Sequence, residues 1–158
     1  VPVVIGQADV AIFTRDGTET FTSWDDLDKF RGTDVVIAHT RGFVAVELEL
    51  HKHVDASNIF ITSKGVQDCM MLAAGRIDYF IEPKAVIEQF IQEGLCDGDG
   101  VKLAGIVETV LVYPVLNKKH ADLAPKLAKV IRDIQDEGLF DEFLKRSQEE
   151  PDPSPPLQ

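Results

Sequence analysis

Cysteine is scarce: Cys69 and Cys96 are the only two in 158 residues, too few for a disulfide framework and without metal-ligand spacing. They leave two readings open, a single Cys69–Cys96 bridge or two buried free thiols. No stretch approaches the ~20 consecutive apolar residues of a membrane-spanning helix. A basic and apolar leader is absent, as is an initiator Met, and the chain opens at Val1 in strand-like sequence, as a mature or trimmed polypeptide would. Basic residues are few, 16 against 27 acidic ones for a formal charge of −11, which argues against a phosphate-tracking surface and so against nucleic acid as a partner. Glycines stand singly, so no G-x-G-x-x-G or P-loop cradle exists and no cofactor is expected.

Histidine chemistry is equally thin. His51 and His53 flank Lys52, and residues two apart do not share a helical face as an i, i+4 metal pair does, so they read as a surface helix end and no metal site is expected. His39 has no Ser or Cys set beside it by any motif, and His120 reads as a cap-region residue, so no catalytic residue is assigned.

What is present is ordinary globular composition, 44% hydrophobic with 8% aromatic residues, and a βα rhythm without internal repeats. Val3–Ile5 and Val10–Phe13 are short β-prone runs. Ser23 precedes Trp24-Asp25-Asp26-Leu27, a helix start with Asp26 in the capping-box position, and the helix should close at Gly32. Asp34–Ala38 (DVVIA) is a β-branched run of the kind buried on both faces. Phe43, Val46 and Leu50 then mark one face of a helix, and Asn58–Thr62 the next strand.

The stretch Val66–Glu82 (VQDCMMLAAGRIDYFIE) is a helix capped by Ser63, with Val66, Met70 and Ala73 or Ala74 at helical spacing. It closes at Gly75 and leads into a strand over Ile77–Ile81. Asp78 interrupts that strand, as a tie to backbone amides or as part of a site. Pro83 suits the first turn of a helix through about Glu93. Leu95–Gly100 is loop, and Lys102–Leu116 one long or two broken strands. Leu123, Leu127, Val130, Ile131 and Ile134 form the stripe of an amphipathic helix over 121–136. Phe140, Phe143 and Leu144 continue helically, and 147–158 is expected to be a disordered Pro-rich tail. Repeated strand–helix–strand units define an α/β class with a mainly parallel sheet and helices on both faces.

SWDDLDKFRG, DVVIA with its turn and helix, LAAGRIDYFIE, and VYPVLNKKHADLAPKLAKVIRDIQDEGLFDEFL follow one another as in the type-2 periplasmic solute-binding proteins of ABC transporters. The likeness to these relatives of the polar amino-acid receptors covers roughly residues 10–146. The resemblance implies a ligand-binding protein rather than an enzyme, located in the periplasm or outside the cell, that carries a small solute to a permease. It places the second lobe with its hinge strands in residues 1–116 and the return segment with C-terminal helices in 117–146, most of the first lobe being absent. The stripe over 123–134 would then need another cover, and a homodimer through the C-terminal helices is one expectation.

Ligands of open parallel sheets bind beyond the carboxyl ends of strands. Thr40, Arg41, Gly42 and Phe43 follow one such end, and the Arg41 guanidinium suits a carboxylate; the plain alternative is a capped turn with a solvated Arg. Thr62 and Ser63 follow another. In the resembling family the first loop carries a Gly-Thr or Gly-Ser-Thr run, whereas here Gly42 comes two places late. An Asp that pairs with the ligand's ammonium is replaced by Pro83, leaving Glu82 as the candidate carboxylate.

Overall fold

The computed structural model describes residues 1–149. The described chain forms two compact units, one of Gln7–Val110 and a second made of Val1–Gly6 and residues 111–149. The first unit is an open five-stranded sheet in the order β3-β2-β4-β1-β5, built from β1 (Gly6–Thr14), β2 (Ile37–Thr40), β3 (Ile59–Thr62), β4 (Tyr79–Pro83) and β5 (Lys102–Val112). β2 runs parallel to β3 and to β4. β1 lies antiparallel to β4, with Ile12 opposite Ile81. The sheet is therefore mixed, with a parallel half formed by the three strands whose ends carry the predicted site.

Three helices accompany that half: α1 (Val44–His53), α2 (Gly65–Ala73) and α3 (Lys84–Gln92). On one side of the sheet Val10, Ile12, Ile37 and Ile81 pack with Leu27, Val46 and Leu50. On the other Ala11, Phe13, Ala38 and Phe80 pack with Cys69, Leu72 and Ile87. Both faces of β2 and β4 are thus covered, which is why DVVIA reads as a continuous apolar run.

The strand itself starts late, at Ile37, because the Val36 N–H donates to Asp78 Oδ2 at 2.9 Å instead of to a neighbouring strand. Asp78 is accordingly the backbone tie, and β4 begins one residue after it. The helix after Ser23 is a 3-10 helix, Trp24–Phe30. Asp26 Oδ2 accepts from Ser23 N at 3.0 Å and Thr22 N at 2.7 Å, which closes the expected box and holds its carboxyl below the usual range.

α2 departs from expectation in its buried face. Asp68, Cys69 and Leu72 point inward, while Met70 is 64% exposed. Cys69 is bonded to Cys96, with Cα atoms 5.7 Å apart, and this cross-link turns the helix so that the Met70 side faces water. Ser63 is not the cap, a place taken by Lys64; the Ser63 amide and hydroxyl instead donate to Gln67 Oε1 at 3.1 and 3.0 Å.

In the second unit Ile5 N donates to Val112 O and the Val1 ammonium to Pro114 O, both at 2.9 Å. α4 (Ala124–Asp136) packs with α5 (Leu139–Glu149). Pro125 sits in the first turn of α4 as its fixed φ allows. Ala128 is buried, Leu127, Ile131 and Ile134 are half-buried, and Val130 remains 51% exposed. α5 runs through Ser147 to Glu149, and the rest of the expected tail lies outside the described residues.

Candidate functional site

Side chains alternate across a strand, so Thr40 shares the face of Ala38, Thr62 that of Phe60, and Glu82 that of Phe80. In register Thr40 stands opposite Thr62. Thr40 and Thr62 end their strands and Glu82 stands one residue before the end of β4, all on the α2 side of the sheet, where the first turns of α2 close over them. Gly65 is what permits that approach: a Cβ there would come 3.3 Å from the Phe90 ring and 3.7 Å from both the Glu82 carboxyl carbon and Thr40 Oγ1.

Into this cluster α2 delivers Asp68, a residue absent from the sequence-based candidates. Asp68 is fully buried and Glu82 is 5% exposed. The Thr40 amide donates to Glu82 Oε1 at 2.9 Å and the Thr40 hydroxyl to Asp68 Oδ2 at 3.3 Å. Asp68 Oδ1 has no partner among the described residues, and no salt bridge there reaches either carboxylate.

Burial, the largest influence, disfavours the charged form; hydrogen bonds from Thr62 and Thr40 oppose it and Glu82 adds to it by repulsion, so that the Asp68 carboxyl is pushed up to about 7. Asp68 is therefore protonated at mildly acid pH. Such an acid is stabilising while protonated, and that contribution is whole below the ordinary carboxylate value and lost as pH rises through about 7. Asp68→Asn keeps the shape of the protonated group. It is expected to flatten the fall in melting temperature between pH 5 and pH 8, with a gain on the order of 5 °C at pH 8. Parallel pH profiles for wild type and variant would overturn the assignment. The lowered acids Asp26 and Asp28 release protons below this window and leave it undisturbed.

The remaining predicted residues divide. Arg41 and Gly42 form an exposed turn after Thr40, with Gly42 at φ 92°, and Arg41 makes no ion pair or side-chain hydrogen bond among the described residues. Phe43 turns inward instead and packs against the Val46 and Leu50 side of the core, so it does not join Thr40. Arg41, Thr62 and Ser63 line the upper end of an open groove of about 670 Å³. Gln67, Phe60, Ile61 and Met70 continue it toward Arg76.

His39 is fully buried on the opposite face, its Nδ1 3.1 Å from Thr40 O and its Nε2 without a partner among the described residues. His53 Nδ1 lies 3.1 Å from Asp28 Oδ1 and 4.0 Å from Asp25. Asp28 is already bound by Arg31, and the Asp25 side chain is 88% exposed, so this is a surface ion-pair cluster at the end of α1. Asp68 escaped the sequence reading because a carboxylate breaks an apolar stripe; its spacing one residue before Cys69 was the available signal.

No family model matches this chain. A protein of Shewanella oneidensis, described only as uncharacterized, is 23% identical over 146 residues, which make up 92% of this chain and 53% of that one. Among solved structures, a variant of ArgBP from T. maritima superposes with a TM-score of 0.70 at 16% identity over 94% of this chain and 61% of its own. A histidine kinase sensor domain with similarity to periplasmic binding proteins gives 0.70 at 16% identity, covering 89% and 58%. An amino acid ABC transporter substrate-binding protein from Streptococcus pneumoniae, bound to L-arginine, gives 0.69 at 15% identity, covering 92% and 59%. The chain thus spans a little over half the length of the proteins it matches. The likeness establishes its fold, an open α/β sheet corresponding to part of the periplasmic-binding-protein architecture.

Proposed function

We propose that this chain is the larger part of a solute-binding domain, one that holds a small polar or anionic solute at the carboxyl ends of β2, β3 and β4. The observation that carries this reading is the exposed Arg41-Gly42 turn, which leaves a guanidinium without an ion pair among the described residues, beside Thr62, Ser63 and the start of α2. A guanidinium fork is suited to a carboxylate. Glu82, in contrast, is occupied by the Thr40 amide and by Asp68, so the candidate for an ammonium partner acts beneath the site as a support.

The architecture shared with an amino acid ABC transporter substrate-binding protein favours delivery to a permease. A location in the periplasm or outside the cell agrees with the Cys69–Cys96 bridge, since disulfides persist in oxidising compartments. The neighbours are binding and sensor proteins, and no catalytic role is assigned. A second reading, the sensing domain of a signalling protein, is favoured by the equal superposition on the kinase sensor domain. The incompletely covered stripe of α4 supports a homodimer through the C-terminal helices, for which a concentration-independent monomer mass would be contrary evidence.

Calorimetric titration with amino acids and small organic carboxylates tests the solute site. At least one carboxylate is expected to bind, weakly for the chain alone, and Arg41→Ala to weaken it at least ~10-fold, the scale of one charged hydrogen-bond pair. Failure of every carboxylate, or binding indifferent to Arg41, would remove the anion site.

A further inference from the structure

β3 is an edge strand of the sheet, and its sequence, Ile59-Phe60-Ile61-Thr62, lacks the lysines, prolines or bulges that ordinarily shield such an edge. Its inner side is satisfied by β2. Among the described residues no backbone bond reaches its outer side. Phe60 and Ile61 are 45% and 40% exposed, and Met70 of α2 beside them 64%. Phe60, Ile61 and Met70 line the groove described above, with Arg41 just past the carboxyl end of β2 and Arg76 ahead of the amino end of the parallel β4, at opposite ends of the strands. Neither guanidinium forms an ion pair among the described residues, in a chain that carries a formal charge of −11.

We infer that this groove is a docking site for an extended peptide segment of a partner protein, added as a sixth strand beside β3, with an apolar centre and acidic residues at its ends. The open main-chain edge supplies backbone hydrogen bonds, and the apolar floor takes alternate side chains. A four-residue edge at ~3.3 Å per residue is roughly 13 Å long, the reach of a short strand. The exposed thioether of Met70 adapts to side chains of varied shape. The two arginines supply the charge term: basic groups on an acidic protein select acidic ends and reject basic ones. Arg41, Thr62 and Ser63 are common to this groove and the solute site, whereas Phe60, Met70 and Arg76 lie away from the strand ends that form that site, and the test reads Arg76 for this reason.

The test uses the described chain and a fluorescent eight-residue peptide in which Val and Ile alternate with Thr and two Glu stand at each end. Anisotropy titration is expected to show saturable binding, weakened at least 10-fold by Arg76→Glu and by replacing the peptide's Glu residues with Lys. N-methylation of alternate central amides should abolish it, and the bound peptide should slow hydrogen exchange at Phe60 and Ile61. Phe60→Lys, an exposed change, provides a second variant, and melting curves establish that both variants are folded. Absence of binding would overturn the inference. So would equal binding by the N-methylated peptide, which would mark a pocket indifferent to backbone pairing, or an Arg76→Glu variant that binds as well as wild type.

Discussion

Gly105→Ala is expected to lower the stability of the Gln7–Val110 unit by about 3–5 kcal/mol, at the upper end of single-residue effects. A methyl group at Gly105 would overlap the carbonyl oxygen of Phe21 and crowd the Phe21 nitrogen. The two stretches meet there in a parallel bridge, and the Phe21 amide donates to Ala104 O at 2.9 Å. Because the obstacle is backbone, no change of rotamer relieves it. Moving the segment would withdraw Phe21, only 1% exposed, from rings centred 5.4 Å away at Tyr79 and 6.0 Å away at Phe30. Urea denaturation measures the loss. Gly32→Ala is the control, since Gly32 has φ 69° and no neighbour within 4 Å of an added Cβ; it should cost only about 1 kcal/mol. Equal losses in the two variants would show that the close approach contributes nothing beyond backbone conformation.

Removing the disulfide should have an effect of similar size. The Cys69–Cys96 bond closes a loop with a sequence separation of 27, for which the chain-entropy relation gives about 3.5 kcal/mol of stabilisation through the unfolded state. Both sulfurs are sheltered, Cys69 at 1% and Cys96 at 5% exposure, among Phe13, Leu72, Ile77 and Phe80. Reduction with dithiothreitol, or the double change Cys69→Ala with Cys96→Ala, is expected to lower the urea midpoint. The slope should steepen as the unfolded chain expands. Iodoacetamide should label neither residue before reduction. An unchanged midpoint in reductant would count against a stabilising bridge. The expected loss bears directly on the candidate site, because the same bond fixes the rotation of α2 that brings Asp68 under Thr40.

That rotation also shows where sequence reasoning stops. The strand end at Thr62 and the Asp26 box were legible because each depends on residues close in sequence; the strand expected over Asp34–Ala38 instead runs two residues further, to Thr40, and the tie that was one of two readings for Asp78 reaches Val36, 42 positions away. The buried face of α2 was not legible: Val66, Met70 and Ala73 fit helical periodicity as well as Cys69 and Leu72 do, and only the partner of Cys69 decides between them. Phe43 was misplaced for a related reason, since a loop position near a strand end does not say which way its ring turns. Arg41 stands after a strand end, as its sequence position implies, and the fold leaves it exposed there. The place of β1 was equally hidden, because apolar patterning identifies a strand without specifying its neighbours.

The position of β1 has a kinetic consequence. It is the first strand in the chain yet lies between β4 and β5, so its two neighbours are the last strands to be made. As the polypeptide emerges from the ribosome, Val10–Phe13 find no partner until Phe80–Pro83 are available. The Asp9–Thr109 side-chain bond must wait for 100 further residues. An apolar segment held open for that long is exposed to mispairing and aggregation. Nascent chains ending before Tyr79 should accordingly depend most on chaperones, with the dependence falling once β4, and then β5, has been synthesised.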